Sequence, residues 1–240
     1  MLSPHALTAG SIFVLALGVV ALRLHALDGR GAAGAVVLGI FLLWLGGVYP
    51  FLAMMVFLMI GVAATKYRFE EKVRRGFSSK SERVRGLGNV LGNGLAVVVF
   101  LVVEMITRQD IFWAATFSAI ATVNGDTLAS ELGKVFGRRP RLITNLKPVK
   151  PGTNGGISLP GEFFALVGAA LIVPFALPLT SHKLLMGAAI VVGGFVGVNL
   201  DSLIGATLEN RGITDNNTTN FTASLLGGLV GALTFTALGG

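Results

Sequence analysis

The sequence predicts an all-α integral membrane protein, a polytopic bundle of about seven to eight transmembrane helices forming a single domain over residues 1–240. Three observations predict it. Hydrophobic residues make up 53% of the chain and charged residues 13%, with a mean hydropathy of +0.76, whereas soluble domains carry about 25% charged residues. The apolar runs are long and continuous rather than alternating in short segments, which favours helices over a barrel. Fourteen of the nineteen Lys and Arg residues fall in 66–85 and 134–150, the asymmetry of a positive-inside topology.

The apolar runs place spans at 7–27, 31–48, 50–65, 87–106, 111–132, 159–180, 183–206 and 221–239. Residues 1–10 carry no Lys or Arg, so the first run reads as a retained span rather than a cleaved signal peptide. Runs 31–48 and 50–65 are short for a bilayer; they read as thin spans or as one helix broken at Pro50. With the N-terminus outside, loops 28–30, 66–86, 133–158 and 207–220 all face the cytoplasm, and both basic loops share that side. The absence of cysteine and of a targeting segment suggests a prokaryotic plasma membrane. The intramembrane glycines, among them Gly193, Gly194, Gly197, Gly227, Gly228 and Gly231, read as close helix–helix packing.

Several classes of chemistry are excluded early. There are no cysteines, and His5, His25 and His182 are scattered, so thiolate sites, histidine-based metal sites and a Ser-His-Asp triad fall away. Nucleic acid is not expected as a partner, because the basic loops lack interleaved aromatics; membrane lipids are. Glu104, near Arg108 at the other end of its span, reads as an interfacial acid.

Acids within a bilayer-crossing segment are costly and by default mark function. Asn124-Gly125-Asp126-Thr127-Leu128-Ala129-Ser130-Glu131 ends the fifth span, and Asp201-Ser202 lies at the same end of the seventh, with Glu209 beyond it. Asp126 and Glu131 stand about 140° apart on an ideal helix, so an intact helix cannot chelate one ion with both. Asp126 and Asp201 across a helix seam would suit Mg²⁺, which takes one or two carboxylates plus water and phosphate oxygens; Glu131 is a candidate third ligand or supporting acid.

An acid-free basic loop follows, with Arg138, Arg139, Arg141, Lys147 and Lys150. Its plain reading is topogenic charge; beside an acidic helix end it is also a candidate phosphate grip. Gly152-Thr153-Asn154-Gly155-Gly156 precedes the sixth span, where glycine-rich backbone can form an anion nest. No Gly-Lys-Ser/Thr follows, so it is not a Walker A loop. The first basic loop, from Lys66 to Arg85, mixes both signs in Lys66-Tyr67-Arg68-Phe69-Glu70-Glu71-Lys72 and reads as a headgroup-facing helix. Asn89, Asn93, Asn216, Asn217 and Asn220 read as caps or turns at the membrane surface.

Four motifs then occur in order: Asp126-Thr127-Leu128-Ala129-Ser130-Glu131-Leu132-Gly133, Pro140-Arg141-Leu142-Ile143-Thr144, Pro151-Gly152-Thr153-Asn154-Gly155-Gly156-Ile157-Ser158 and Asp201-Ser202-Leu203-Ile204-Gly205-Ala206-Thr207-Leu208, with Asn93-Gly94 ahead of them. Through these the chain resembles, over about residues 30–240, the membrane family of plant phytyl-phosphate kinase and animal transmembrane protein 19 (domain of unknown function 92). Gly125 stands where alanine is common in that family, a change expected to be tolerated.

The resemblance implies a phosphotransferase acting on an isoprenoid monophosphate, phytyl or geranylgeranyl phosphate, with a nucleoside triphosphate as donor, CTP favoured over ATP. Under that reading Asp126, Asp201 and Glu131 serve Mg²⁺. Asn93, Ser130, Arg138, Arg139, Arg141, Lys147, Lys150, Thr153, Asn154, Gly155, Gly156 and Ser202 serve phosphates. Two rivals use the same residues: a CTP-dependent cytidylyltransferase on a lipid phosphate, and an ion-coupled transporter or flippase. Transporters usually bind near the midplane between repeats, whereas these acids and glycines collect at one surface and no repeat is evident.

Overall fold

The computed structural model describes residues 3–78 and 84–240; positions 79–83 of the expected 66–86 loop lie outside the described residues. The chain is a helical bundle. Pro4 occupies the first turn of α1 (Pro4–Arg23), and the Ser3 hydroxyl accepts from the Ala6 N–H at 3.3 Å. Asp28 caps α2 (Gly29–Gly46) by accepting from the Gly31 N–H at 2.6 Å. The chain then reverses at Gly47, in left-handed backbone at φ 76°, into α3 (Val48–Lys66). The break therefore falls at Gly47 and not at Pro50, which sits in the first helical turn where a missing N–H costs nothing. Residues 31–48 and 50–65 are two helices of a hairpin: the Lys66 ammonium donates to the Leu24 carbonyl at 3.2 Å, returning α3 to the end of α1.

A short amphipathic helix, α4 (Phe69–Arg74), follows α3. Next come α5 (Leu87–Thr107) and α6 (Asp110–Phe136). A two-residue hairpin pairs β1 (Arg141–Leu142) with β2 (Gly156–Ile157) and closes the second basic loop. The sixth span is discontinuous: α7 (Leu159–Ala170) stops, and α8 (Val173–Ala176) and a 3₁₀ turn at Leu177–Leu179 complete it. Pro174 and Pro178 supply no N–H to continue the ladder. Two long helices finish the bundle, α9 (Lys183–Thr207) and α10 (Asn216–Ala237).

Among the described residues seven helical segments are long and apolar enough to cross a membrane: α1, α2, α3, α5, Leu159–Leu179, Lys183–Arg211 and α10. The eighth long helix, α6, is not among them, because it carries Thr116, Ser118, Thr122, Asn124 and Asp126. Its position resolves the conflict. It runs through the middle, packed by α3, α5, α7, α9 and α10, and every residue from Ala114 to Gly125 is buried. Polar groups inside a bundle face protein and not lipid: the Ser118 hydroxyl donates to the Ala189 carbonyl at 3.3 Å, and the Asn124 amide to the Gly168 carbonyl at 2.7 Å.

Small residues permit this crowding. A Cβ on Gly168 would lie 2.7 Å from the Gly125 Cα, and one on Gly193 would lie 2.7 Å from the Gly227 carbonyl oxygen. Such contacts meet backbone that cannot step aside. Gly168→Ala is therefore expected to destabilise the fold by about 1–3 kcal/mol, as overpacking does, read as a lower thermal midpoint in detergent.

Glu104 is buried rather than interfacial, with Arg108 4.0 Å away at the surface. Helix α6 also runs one turn further than its motif suggested, because Phe136 stacks on Tyr67 at 6.2 Å and packs against Phe164 at 5.8 Å.

Candidate functional site

The inter-helix loops beside α3, α6 and α9 meet on one face. The Asp28 N–H donates to the Arg85 carbonyl, Asn154 donates to Glu209 at 2.8 Å, and the Lys134 ammonium donates to Ser78 at 3.3 Å. They enclose a cavity of about 580 Å³. Its walls come from the end of α3, from Arg85 and the first turns of α5, from the C-terminal half of α6, from residues 151–158, and from the facing ends of α9 and α10.

Asp126 reaches this cavity because of what precedes it. The Asn124 amide anchors α6 to α7, and Gly125 lets α7 lie against it: a Cβ there would stand 2.9 Å from the Ala165 carbonyl oxygen. Glycine in place of alanine at 125, the change expected to be tolerated, is what this close crossing uses; a Cβ there would press the two helices apart. Asp126 is the first side chain beyond that crossing to line the cavity. Asp201 and Ser202 line it from α9, and Asp201 lies close enough to feel the charges of Asp126 and Glu209. Glu162, on the first turn of α7, adds a further carboxylate and accepts from Asn199 at 3.1 Å.

Glu131 lines the cavity but is already engaged. Lys72, 1% exposed, reaches in from α4, bonds to the Glu131 carboxylate and donates to the carbonyls of Ala64 at 3.0 Å and Thr65 at 2.8 Å. Lys134 stands 3.7 Å from the other Glu131 oxygen. Glu131 thus ties α4, the end of α3 and α6 together.

The structure separates the expected phosphate residues into two sets. Asn93, Ser130, Thr153, Asn154, Gly155, Gly156 and Ser202 line the cavity. Arg138, Arg139, Arg141, Lys147 and Lys150 are exposed and are not part of its lining. The extra turn of α6 carries the basic stretch past the cavity, and the Arg141 guanidinium donates to the Leu146 carbonyl at 2.8 Å within its own loop. Among the described residues the cations that do line it are Arg85 and Lys134. Sequence reading did not single them out, because each is one base among many in its loop.

The glycine-rich loop is built differently from an open anion nest. Its Thr153 and Gly156 N–H groups donate to the carbonyls of Lys150 and Thr153. Gly155, at φ 76°, presses on α9, where a Cβ would lie 2.5 Å from the Ser202 carbonyl oxygen. The loop is a compact double turn that docks on the Asp201 segment. Asn217 likewise is a packing group, its amide oxygen accepting from Asn89 at 3.3 Å and its backbone lying against Gly92.

The electrostatics are lopsided. Among the described residues the cavity walls hold five carboxylates (Asp126, Glu131, Glu162, Asp201 and Glu209) and two cations. Burial pulls the Arg85 guanidinium below its ordinary pKa, against the raising influence of Glu131 and Asp126. No group of three or more His, Cys, Asp or Glu side chains among the described residues is arranged to hold a metal ion by itself. Asp126 and Asp201 both line the cavity, from α6 and α9.

A helical membrane bundle with an acid-rich cavity at one face defines an integral membrane protein with a polar site at its surface. The chain belongs to the family described as integral membrane protein DUF92, which matches residues 12–235. It is 32% identical to an uncharacterised membrane protein of Methanocaldococcus jannaschii, over 95% of this chain and 93% of that protein. It is 32% identical to an uncharacterised membrane protein of Synechocystis, over 83% of this chain and 78% of that one. Protein VTE6, chloroplastic, of Arabidopsis thaliana is 28% identical over 85% of this chain and 62% of its own length. No solved structure gives a significant match.

Proposed function

We propose that this protein is an isoprenoid-phosphate kinase, transferring the γ-phosphoryl of a nucleoside triphosphate, CTP favoured, to a prenyl monophosphate at the cytoplasmic membrane surface. The observation that carries the proposal is the polar cavity lined by Asp126 of α6, Asp201 of α9, Arg85, Lys134 and the 152–156 loop. The family resemblance to phytyl-phosphate kinase supplies the substrate class.

The acceptor is a phosphate monoester, largely dianionic near neutral pH because its second pKa is about 6. It needs no general base, and none of the three histidines lines the cavity. An acceptor oxygen bonds to the γ-phosphorus while the β–γ bridging P–O bond breaks, giving prenyl diphosphate and CDP. Catalysis then rests on positioning and charge neutralisation. Arg85 and Lys134 hold phosphate oxygens, Asn93 orients the acceptor, and Thr153, Asn154 and Ser202 bracket the donor. Asp126 and Asp201 would hold Mg²⁺, which when bound offsets the surplus negative charge of the walls and of the phosphates.

Mass analysis of products tests the reading. Purified protein in nanodiscs with CTP, Mg²⁺ and geranylgeranyl monophosphate is expected to yield prenyl diphosphate and CDP. A CMP–lipid conjugate with pyrophosphate would make it a cytidylyltransferase; an unreacted acceptor with phytyl and geranylgeranyl phosphate alike, and with CTP and ATP alike, would remove the enzyme reading and favour transport. In the same assay Arg138→Gln, Arg139→Gln and Arg141→Gln, alone or together, are expected to change kcat/KM by less than about fivefold, as for exposed charges acting at a distance. A hundredfold loss would put that stretch at the phosphates during turnover.

A further inference from the structure

A second cavity, of about 440 Å³, lies between α1, α2, α3 and α5. Among the described residues its walls are apolar apart from Asn93, which also lines the polar cavity. Asn93 therefore borders both spaces. A second pair marks the same junction: Phe57 lines the apolar space, Arg85 lines the polar one, and the guanidinium lies over the Phe57 ring at 5.3 Å.

Arg85 is built into this place. Its backbone pairs with the α1–α2 turn, donating to the Ala26 carbonyl and accepting from the Asp28 N–H, each at 3.1 Å. Its guanidinium lies against Gly61; a Cβ there would stand 2.6 Å from Nη2 and push the end of the side chain from this place. The same turn that walls the apolar cavity, through Ala26 and Leu27, thus fixes the cation at its mouth.

From this juxtaposition we infer that the isoprenoid monophosphate binds astride the junction, its phosphate on Arg85 and Asn93 and its hydrocarbon chain in the α1–α2–α3–α5 cavity. The inference rests on the proposed kinase reading and adds to it the acceptor's location. An apolar lobe of about 440 Å³ beside a cation suits a single-tailed amphiphile with a monophosphate head. The nucleotide is then left the opposite wall, formed by the 152–156 loop, α9 and α10, with Asp126 and Asp201 between the two phosphates.

The test uses the full chain in nanodiscs and a geranylgeranyl phosphate analogue carrying a diazirine at the tail end. Labelled peptides are expected from α1, α2, α3 or α5. Labelling should be competed by geranylgeranyl phosphate but not by geranylgeraniol or phosphatidic acid. Arg85→Gln and Gly61→Ala should each weaken capture by about tenfold to a hundredfold, the loss expected for a charge-assisted contact, with Arg85→Lys retaining part of it. Leu17→Trp and Met55→Trp, which fill the apolar lobe, should raise KM for the C20 acceptor while leaving KM for CTP unchanged. Folding of each variant is checked by thermal melting.

Label confined to the outer faces of α7, α9 or α10, or equal competition by phosphatidic acid, would overturn the assignment even if kinase activity is present. Phosphate-dependent label in the cavity without any transfer would uphold the site and overturn the kinase reading instead.

Discussion

Asp126→Asn and Asp201→Asn will each reduce phosphoryl transfer by about a hundredfold to a thousandfold, the range for removing one preorganised electrostatic stabiliser, without lowering the thermal midpoint. The second half separates a site from a scaffold. Both aspartates sit half-buried in the lining of one cavity with other carboxylates, where a charge is costly. Asparagine keeps the shape and removes that charge, so a scaffold role would show as a large loss of stability and a site role as a large loss of rate. Because the two acids act as a unit, the double variant should be little worse than either single one. Independent, multiplying losses would mean that they serve different steps.

The second large effect concerns Lys72. Its ammonium is enclosed by two carbonyls at the end of α3 and by the Glu131 carboxylate. Removing one partner of a buried pair leaves an uncompensated charge and costs about 3–5 kcal/mol. Lys72→Met is therefore expected to lower the melting point sharply, and Glu131→Gln to do so by a similar amount. Lys72→Met with Glu131→Gln should recover much of the loss, since the buried pair is then removed whole and the fully buried ammonium is gone. This series also decides the role of Glu131. A metal-binding Glu131 would lose rate by a hundredfold or more on change to glutamine while keeping its stability; a structural tie would lose stability first. The structure, with Lys72 and Lys134 on its two oxygens, favours the tie.

Much of this protein is legible in one dimension. Hydropathy and loop charge place every long helix, including α6, whose polar residues keep it out of the set that is apolar enough by composition. The acids at 126 and 201 stand out because carboxylates are rare in such segments, and the fold brings them to one cavity. What the sequence could not rank is its bases. Arg85 and Arg139 look alike as letters in loops; only the packing of Gly61 and Phe57 against one of them makes it a cavity cation. Lys72 and Glu131 are 59 residues apart, a separation that no local pattern encodes. The glycine-rich loop shows the opposite failure. Its composition suits an anion nest, yet two of its N–H groups are spent on its own turns, and Gly155 is required by contact with α9.

The discontinuities follow the same logic. Pro50 looked like a break and is absorbed in a first turn, while Gly47 makes the reversal. Pro174 and Pro178, in an apolar run that reads as continuous, interrupt the sixth span. Proline interrupts a helix only where an N–H is needed, and that depends on where each helix starts.

Transfer of label from γ-³²P-CTP to geranylgeranyl monophosphate by the wild-type protein in nanodiscs, followed before and after removal of divalent cations by EDTA, decides whether the cavity is a kinase site. Label is expected in the lipid fraction as prenyl diphosphate, lost on chelation and restored by added Mg²⁺. Label that remains in CTP, or passes only to inorganic phosphate, while the protein is folded and its cavity binds nucleotide, would contradict the kinase reading.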